Sequence, residues 1–316
     1  MPQTTAAVNS NSDLRAKSLF AILLAVLASV FWGAMGVCVQ YLFETTDITP
    51  LNLVSIRLPL AGLLLVALNL IFVRKKMLGV FSSPKAVFGI VLSGFEVLFA
   101  HLTFFFAIYY SNAGTGAIFL GLVPLLAGIY LYLRGKKGFT SIEVLCCAIA
   151  FFGVVFIVSK GDLSNFDFNW NTVFWGLVSA VFAVIYSIQP KPLIEKYGVE
   201  PVVSWGIFSA GVASFIVLRP IDAMLSLTPN GWLALGFIVV FGTAAAFWMY
   251  LYSLKYLSPV VVGLIVCVEP LSAFLFGVMF MNLHLGLLET LGVIMVLANV
   301  VILSCVPAKP KQKPPR

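Results

Sequence analysis

Ala107-Ile-Tyr-Tyr-Ser-Asn-Ala-Gly-Thr-Gly-Ala-Ile-Phe-Leu-Gly-Leu-Val-Pro-Leu125 and Ser253-Leu-Lys-Tyr-Leu-Ser-Pro-Val-Val-Val-Gly-Leu-Ile-Val-Cys-Val-Glu-Pro-Leu271 are two copies of one motif. The prolines of the two copies, Pro124 and Pro270, are 146 residues apart. Each proline lies midway along an apolar segment that is long enough to cross a bilayer. Paired helix breaks in the two halves of a membrane protein indicate a central site between the halves.

The composition places the chain in a membrane. Of its 316 residues, 61% are hydrophobic and only 10% are charged, and the mean hydropathy is +1.07. A soluble domain carries about 25% charged residues, so this chain lacks the polar surface that water requires. The net charge of +7 does not indicate a nucleic-acid partner. Most basic residues lie in short loops between apolar segments, where they set membrane orientation.

The sequence lacks the metal-binding and nucleotide-binding motifs that many enzymes and ATP-driven pumps contain. The five cysteines lie in or beside apolar segments without metal-ligand spacing, and the chain has only two histidines. It contains no zinc motif, no phosphate-binding loop and no dinucleotide fingerprint. We therefore expect no metal, no cofactor, no enzymatic activity and no ATP-driven pumping by this chain alone.

Ten apolar segments have the length of a membrane-spanning helix, which is about 20 residues. Short connections rich in proline, glycine and serine separate them. The predicted spans are 19–43, 51–73, 86–107, 113–133, 142–159, 172–193, 201–218, 232–254, 259–281 and 285–306.

The distribution of positive charge predicts the orientation. With a cytoplasmic amino terminus, the predicted cytoplasmic segments hold sixteen of the 19 Lys and Arg residues, and the outer segments hold only Lys160 and Arg219. We therefore expect both termini in the cytoplasm. Five spans in each half is an odd number, so two related halves must enter the membrane in opposite directions.

The predicted fold is an all-α membrane protein of ten transmembrane helices in two inverted five-helix repeats. The predicted boundaries are a disordered cytoplasmic segment at 1–18, a first repeat at 19–159, a linker at 160–171, a second repeat at 172–306 and a basic cytoplasmic tail at 307–316. The repeat is clearest in the third to fifth spans of each half. In the first span, Ala28-Ser-Val-Phe-Trp32 matches Ser179-Ala-Val-Phe-Ala183 only loosely.

Five stretches together resemble one known family, namely 28–33, 54–58, 107–125, 242–250 and 253–271. On these residues the chain resembles the EamA-type family of the drug/metabolite transporter superfamily, whose members have ten helices in two inverted halves. The resemblance implies export of amino acids or of related amines and carboxylates. Family members usually carry acidic residues at the ends of the fourth and ninth helices, where this chain has Lys136 and Asn282. The resemblance therefore implies no gating role for Lys136 or Asn282. A glycine common in the tenth helix is replaced by Asn299.

Charged groups within a span are costly, so each requires an explanation. Glu96 lies about 15 Å deep in its span at 1.5 Å per residue, close to the midplane. One interpretation is a proton-coupling carboxylate or an anchor for a substrate amine. The other is a structural partner for Arg57, which enters its own span from the opposite side.

Glu269 precedes the second proline and has two interpretations, a carboxylate facing a cavity or a cap for backbone groups that the proline frees. A proline removes one helical hydrogen bond and displaces the carbonyl four residues earlier. The affected carbonyls belong to Leu120 and Val266. They face either protein or a wet cavity, where they could accept bonds from a substrate amine. A kink that only shapes packing is the alternative.

Several aromatic residues are candidates for stacking on an organic substrate or for holding a cation. We single out Trp32, Tyr186, Trp248 and Tyr252. The tyrosines Tyr110 and Tyr256 lie at helix ends and suit an interfacial belt better. His101 lies about 140° around the helix from Glu96 and is interpreted as a packing residue.

The sequence predicts a secondary active transporter that exports small organic metabolites by alternating access, with proton coupling as a further expectation. The alternatives are a multidrug or toxic-compound efflux carrier, a lipid-modifying membrane enzyme, and a channel or sensor. The expected partners are a small-molecule substrate and the lipid bilayer, with no nucleic acid. The expected location is the bacterial inner membrane, and the expected assembly is a monomer or homodimer.

Overall fold

The structure of the chain is a computed structural model that describes residues 2–110, 113–135, 140–159, 169–281 and 286–305. These residues form helices and connecting turns, and no strand occurs among them. Lys136 and Asn282, which depart from the family pattern, lie outside the described residues.

Among its described residues, the first half contains seven α-helices and one short 3₁₀ turn. They are α1 (Pro2–Thr45), α2 (Pro50–Phe72), α3 (Arg74–Gly79), the 3₁₀ turn Val80–Ser82, α4 (Pro84–Tyr109), α5 (Ala113–Leu120), α6 (Val123–Leu133) and α7 (Ser141–Ser159).

The described part of the second half contains nine α-helices and one π-helical turn. They are α8 (Trp170–Ile188), α9 (Lys191–Tyr197), α10 (Val199–Leu218), α11 (Ile221–Leu225), α12 (Pro229–Val239), the π turn Val240–Ala245, α13 (Ala246–Tyr256), α14 (Pro259–Val266), α15 (Val268–Met281) and α16 (Leu287–Cys305).

Each predicted span coincides with a helix or with a consecutive pair of helices. The predicted span 113–133 is divided into α5 and α6, and the predicted span 259–281 into α14 and α15. Six helical stretches among the described residues are long and apolar enough to cross a membrane. These are Ala16–Thr45, Pro50–Phe72, Pro84–Tyr109, Trp170–Tyr197, Val199–Leu218 and Pro229–Tyr256. The larger count of ten crossings stays a prediction.

Several helices begin with the same local device, a Ser or Thr cap followed by proline at the first helical position. The side-chain oxygens of Thr49, Ser83, Thr228 and Ser258 each accept a bond from a backbone N–H in the first turn. Proline fits this position because its missing N–H would have no helical partner there. The cap and the proline together fix where these helices start.

The outer surface of the bundle is apolar. Phe72, Leu133 and Leu233 are each more than 75% exposed, and they lie on different helices. A water-soluble protein rarely exposes so many large apolar side chains. In a membrane these side chains contact lipid tails, as the composition of the chain requires.

The most extensive contacts join helices of the first half to helices of the second half. They pair α2 with α10, α4 with both α8 and α10, α7 with α16, and α1 with both α13 and α15, while the broken helices meet through α6 and α14. In the α4–α8 pair, Phe99 stacks on Phe182 and Phe106 stacks on Trp175. The residue number rises along α4 as it falls along α8, so these two helices run antiparallel.

Close backbone approach accompanies these pairings. A side chain at Gly94 of α4 would overlap the backbone of Gly206 in α10, and one at Gly62 of α2 would overlap the backbone of Phe208. Small residues at such crossings let helices in lipid gain packing contacts that larger residues prevent. The glycines thereby fix α2, α4 and α10 as a tightly packed unit beside the cavity described next.

Candidate functional site

The candidate functional site is a cavity that helices of both halves of the chain line together. Its lining comes from α1, α4, α8, α13 and both broken helices. The lining residues are Trp32, Ala100, His101, Phe104, Leu120, Val123, Ser179, Ala183, Tyr186, Tyr250, Gly263, Val266 and Glu269.

Both helix breaks lie at the cavity. The first helix ends at Leu120 and its continuation begins at Val123, and both residues line the cavity. At the second break, Val266 and Glu269 line it as well. The two broken helices cross at Gly263, where an added Cβ would lie 3.3 Å from the backbone nitrogen of Pro124. Each proline lacks an N–H, so the carbonyls four residues earlier, on Leu120 and Val266, have no donor from the proline.

Repeat-related residues occupy the lining in pairs. The 146-residue offset of the sequence repeat relates Phe104 to Tyr250, Leu120 to Val266 and Val123 to Glu269, and all six residues line the cavity. The looser match in the first spans relates Trp32 to Ala183, which also line it. Glu269 breaks this symmetry, because its mate in the first half is an uncharged valine.

Aromatic rings form one continuous wall of the cavity. The ring centroids of Trp32 and Tyr250 are 5.2 Å apart, those of Tyr186 and Tyr250 are 5.5 Å apart, and those of Trp32 and His101 are 6.2 Å apart. Phe247 packs behind them, with centroids 5.5 Å from Trp32 and 5.0 Å from His101. Tilted and edge-to-face rings at these distances attract one another and hold the wall rigid.

The polar groups of the lining are few and differ in how well they are paired. Among the described residues, the indole Nε1 of Trp32 and the hydroxyl of Ser179 are buried without a hydrogen-bond partner. The hydroxyl of Tyr250 is bonded to Ser187 at 2.5 Å. Nδ1 of His101 donates to the carbonyl of Val97 at 3.3 Å, as the carbonyl can only accept. The cavity thus offers an unused indole donor and an unused hydroxyl.

Glu269 is the acidic residue of the lining, and its side chain is only 4% exposed. No ion pair to Glu269 occurs within the described part of the chain, where the ion pair found joins Lys76 to Glu200. Its backbone carbonyl accepts a bond from Ser272 at 2.8 Å, while its side chain is left for the cavity. A buried carboxylate requires a partner, and the cavity is where a bound ligand could supply one.

Arg57 lies outside the lining and is completely buried. Its Nη1 contacts the sulfur of Met35 at 3.2 Å and donates to Thr243 Oγ1 at 3.3 Å. Its guanidinium carbon lies 4.7 Å from the ring centroid of Phe105. The expected alternative of a structural pair with Glu96 is not what the structure contains, because no ion pair joins these two described residues. The guanidinium is instead held against the π turn.

Glu96 is buried in α4, and its Oε2 has no partner among the described residues. It does not line the cavity. Ala100, which does line it, follows by four residues and therefore lies one helical turn further along the same face. Glu96 is thus a buried carboxyl group placed next to the cavity and separate from the carboxylate of Glu269.

Two of the predicted site aromatics lie elsewhere. Trp248 and Tyr252 form a ladder with Tyr256 along α13, with centroids 5.4 and 5.3 Å apart, and Phe20 of α1 contacts Tyr252. None of these four residues lines the cavity. Trp32 and Tyr186 do line it, as does Glu269. The structure therefore brings together three of the seven predicted binding or coupling residues.

The lining also contains residues that the sequence analysis did not select, including His101, Phe104, Ser179 and Tyr250. A signal for Tyr250 was present, because the repeat offset relates it to Phe104. His101 was interpreted as a packing residue. Its place in the wall depends on which helices pack around α4, and the sequence of α4 alone does not carry that information.

A helical membrane protein whose two broken helices cross at a central cavity has the construction of a membrane transporter. The model of the EamA-like transporter family matches this chain at residues 19–159 and 170–305. The chain belongs to this family of membrane transporters.

Similar proteins agree with this assignment. The chain is 28% identical to the uncharacterized inner membrane transporter YicL of Salmonella typhimurium, over 90% of this chain and 94% of that one. It is 25% identical to the uncharacterized inner membrane transporter YedA of Escherichia coli, over 94% and 95% of the two chains. A solved crystal structure shares the fold, with a TM-score of 0.74, 17% identity, and coverage of 92% of this chain and 97% of that chain.

Proposed function

We propose that this chain is a secondary active transporter that exports small organic metabolites, such as amino acids, amines or carboxylates, by alternating access. One observation carries the proposal, namely a cavity lined by repeat-related residues at the crossing of the two broken helices. Many transporters that work by alternating access are built from two related halves that move around a central site. A cavity lined by residues of both halves fits such a site.

The pairing of helices supports an inverted repeat of ten spans. If the third span of one half packs on the first span of the other, a two-fold axis in the membrane plane requires the reciprocal contact. Both contacts are present, as α4 with α8 and as α13 with α1. Of the other major contacts, α2 with α10, α6 with α14 and α7 with α16 join each span to its own mate, whereas α1 with α15 and α4 with α10 do not. The α1–α15 contact has its reciprocal in the contacts of α8 with α5 and α6. The family match divides the chain near the same boundary, at 159 and 170.

The proposed location is the inner membrane, with both termini in the cytoplasm. The names of the relatives YicL and YedA support the membrane, and the positive-charge bias supports the orientation. The proposed assembly is a monomer or a homodimer. The helix contacts described above lie within one chain, so they are compatible with both assemblies.

In this proposal Glu269 holds the substrate and Glu96 carries the coupling proton. The two carboxyl groups differ in position, since Glu269 lines the cavity and Glu96 lies one turn beyond it. Intramembrane carboxyl groups without structural partners are typical of proton relays and substrate counter-ions. Replacing Glu96 with Gln keeps the shape of the side chain and removes its ability to exchange a proton.

Counterflow in proteoliposomes tests the transport function. Vesicles loaded with unlabelled metabolite should accumulate the labelled metabolite in a saturable way, and Glu269→Gln should abolish this exchange. Glu44→Gln is the matched control, because Glu44 is exposed at the end of α1 and bonds only to Gln40 at 2.8 Å. Flux that rises linearly with concentration, without exchange, would indicate a channel and contradict the proposal.

The coupling role of Glu96 has its own measurement. A pH gradient should drive uptake by the parent protein, whereas Glu96→Gln should retain exchange and lose the dependence on the gradient. Unchanged gradient-driven uptake in this variant would remove Glu96 from the coupling mechanism.

A second candidate function is efflux of varied toxic compounds, and the aromatic wall favours it. Flat aromatic rings accept many shapes of organic molecule, whereas metabolite sites usually fix polar groups in defined places. Competition by unrelated drugs against one labelled metabolite separates these two functions. Inhibition by structurally unrelated drugs at similar concentrations supports the efflux carrier.

A further inference from the structure

The charge of the cavity restricts the substrate more narrowly than the proposed function does. Among the residues that the structure describes, the lining contains one acidic residue, Glu269, and neither lysine nor arginine. We infer that the substrate is an organic amine that carries a positive charge and no ionised carboxylate. This inference rests on the proposed function and narrows its substrate class, because it excludes free amino acids and carboxylates.

The aromatic wall and the carboxylate suit an ammonium group together. The ring centroid of Tyr250 lies 5.2 Å from that of Trp32 and 5.5 Å from that of Tyr186, and all three residues line the cavity. Ring faces attract a cation, and the attraction is strongest for Trp and when water is excluded. Glu269 supplies the opposite charge, so that the bound pair is neutral within the bundle.

The hydrogen-bonding groups of an ammonium also find acceptors at the cavity. A primary ammonium has three N–H donors. Glu269 offers a carboxylate, and Leu120 and Val266 contribute backbone carbonyls. The prolines four residues later have no N–H and cannot donate a hydrogen bond to these carbonyls. In lipid such carbonyls need another donor. The two helix breaks and the carboxylate together therefore match the donors of one amine.

The unused donors of the cavity indicate the rest of the substrate. The indole Nε1 of Trp32 and the hydroxyl of Ser179 are buried without partners in the described part of the chain. A neutral acceptor on the substrate, such as a hydroxyl, ether or carbonyl oxygen, would satisfy them. An aromatic or aliphatic body would contact the surrounding rings.

A carboxylate on the substrate would find no opposite charge. The buried cation Arg57 directs its Nη1 to Met35 and Thr243 and its guanidinium carbon to the ring of Phe105, while its Nε and Nη2 have no hydrogen-bond partner among the described residues. None of these four residues lines the cavity. The substrate carboxylate would be buried beside Glu269, which repels it, and burial of an unpaired charge is strongly unfavourable.

Four related ligands separate the possibilities: 2-phenylethylamine, phenylalanine, phenylalanine methyl ester and 3-phenylpropionate. The ester keeps the amine of phenylalanine and neutralises its carboxylate. Binding to purified protein is measured by thermal stabilisation, which reports ligands of the folded state. We expect the amine and the ester to bind at least ~10-fold more tightly than phenylalanine and 3-phenylpropionate.

Two variants locate the binding. Glu269→Gln should weaken the amine at least ~10-fold, and the control Glu44→Gln should leave its affinity unchanged. Trp32→Leu should weaken the amine and the ester together, whereas Trp232→Leu, a change on the exposed surface of α12, should affect neither. The comparison of four ligands on the unaltered protein needs no variant and stands if a variant fails to fold.

Binding and flux judge different claims. Phenylalanine that binds as tightly as 2-phenylethylamine, or amines that do not bind, would overturn the inference about the substrate class. Exchange of phenylalanine in proteoliposomes would do the same and leave the transport function intact. Absence of exchange for every ligand that binds would instead overturn the transport function.

Discussion

Replacement of Gly94 by alanine tests the close crossing of α4 and α10, which positions the α4 side of the cavity. An added Cβ would lie 2.5 Å from the carbonyl carbon of Gly206 and nearer still to its carbonyl oxygen. Carbon atoms in ordinary contact are about 3.5–4.0 Å apart, so the helices must separate by at least ~1 Å. The obstacle is backbone, which cannot rotate away.

The expected cost of this separation is at the upper end of the range for overpacking, about 3 kcal/mol. The helical preference of alanine over glycine returns about 1 kcal/mol, which leaves a net loss of about 2 kcal/mol. Thermal denaturation in detergent should show an apparent Tm lower by several degrees. Because α4 also carries Ala100, His101 and Phe104, amine binding should weaken as well.

Gly236→Ala is the matched control, since nothing lies within 4 Å of an added Cβ at this helical glycine. It should stabilise the protein by about 0.5–1 kcal/mol or leave it unchanged. Gly94→Ala should therefore lower Tm, whereas Gly236→Ala should raise it or leave it unchanged. Equal shifts, or a Gly94→Ala protein as stable as the parent, would refute the close crossing.

Three further substitutions have defined outcomes. Thr243→Val should lower stability by about 1–3 kcal/mol in thermal denaturation, because Arg57 loses a hydrogen-bond acceptor. Adding Arg57→Met should restore most of this loss. Additive losses in the double variant would contradict the contact between the two residues. Tyr250→Phe should cost about 1 kcal/mol through the lost bond to a neighbouring serine, and an unchanged Tm would argue against that bond. Gly263→Ala should slow exchange in proteoliposomes, because its Cβ would lie 3.3 Å from Pro124 at the crossing of the broken helices. An unaltered exchange rate would show that the crossing tolerates the methyl group.

The positions of the helices were predictable because their signals are local. Apolar length marks each segment, and Ser-Pro or Thr-Pro pairs mark several starts, as at Ser83 and Ser258. The divisions near Leu122 and Cys267 follow similarly from the prolines that come shortly after them. Local sequence patterns are sufficient to predict features that depend on residues a few positions apart.

The partner of Arg57 was not predictable in this way. Depth along a helix suggested that Glu96 could reach it, but depth leaves the direction around the bundle undefined. The structure directs Arg57 toward Thr243, whose hydroxyl also donates to the carbonyl of Ile238 five residues earlier. This bond accompanies the π turn, and no composition signal in the sequence marks that turn.

The site itself was predictable in part. Trp32, Tyr186 and Glu269 were selected because they lie in repeated or broken segments, and these are the segments that meet at the cavity. Trp248 and Tyr252 lie in a repeated segment as well, but they point along a different face of α13. Which face of a helix meets the cavity depends on its neighbours, and this information is distributed over the whole chain.

The inverted relation of the two halves is the central claim, and the sidedness of repeat-related residues tests it most directly. Tyr110 and Tyr256 are related by the 146-residue offset, and each follows the last turn of its helix or closes it. Cysteine substituted at each position can be labelled with a membrane-impermeant reagent in intact cells and in inverted vesicles, with the unsubstituted protein as background control. Opposed halves predict that position 110 is labelled from outside and position 256 from inside. Labelling of both positions from the same side would contradict the inverted repeat and, with it, alternating access around the cavity.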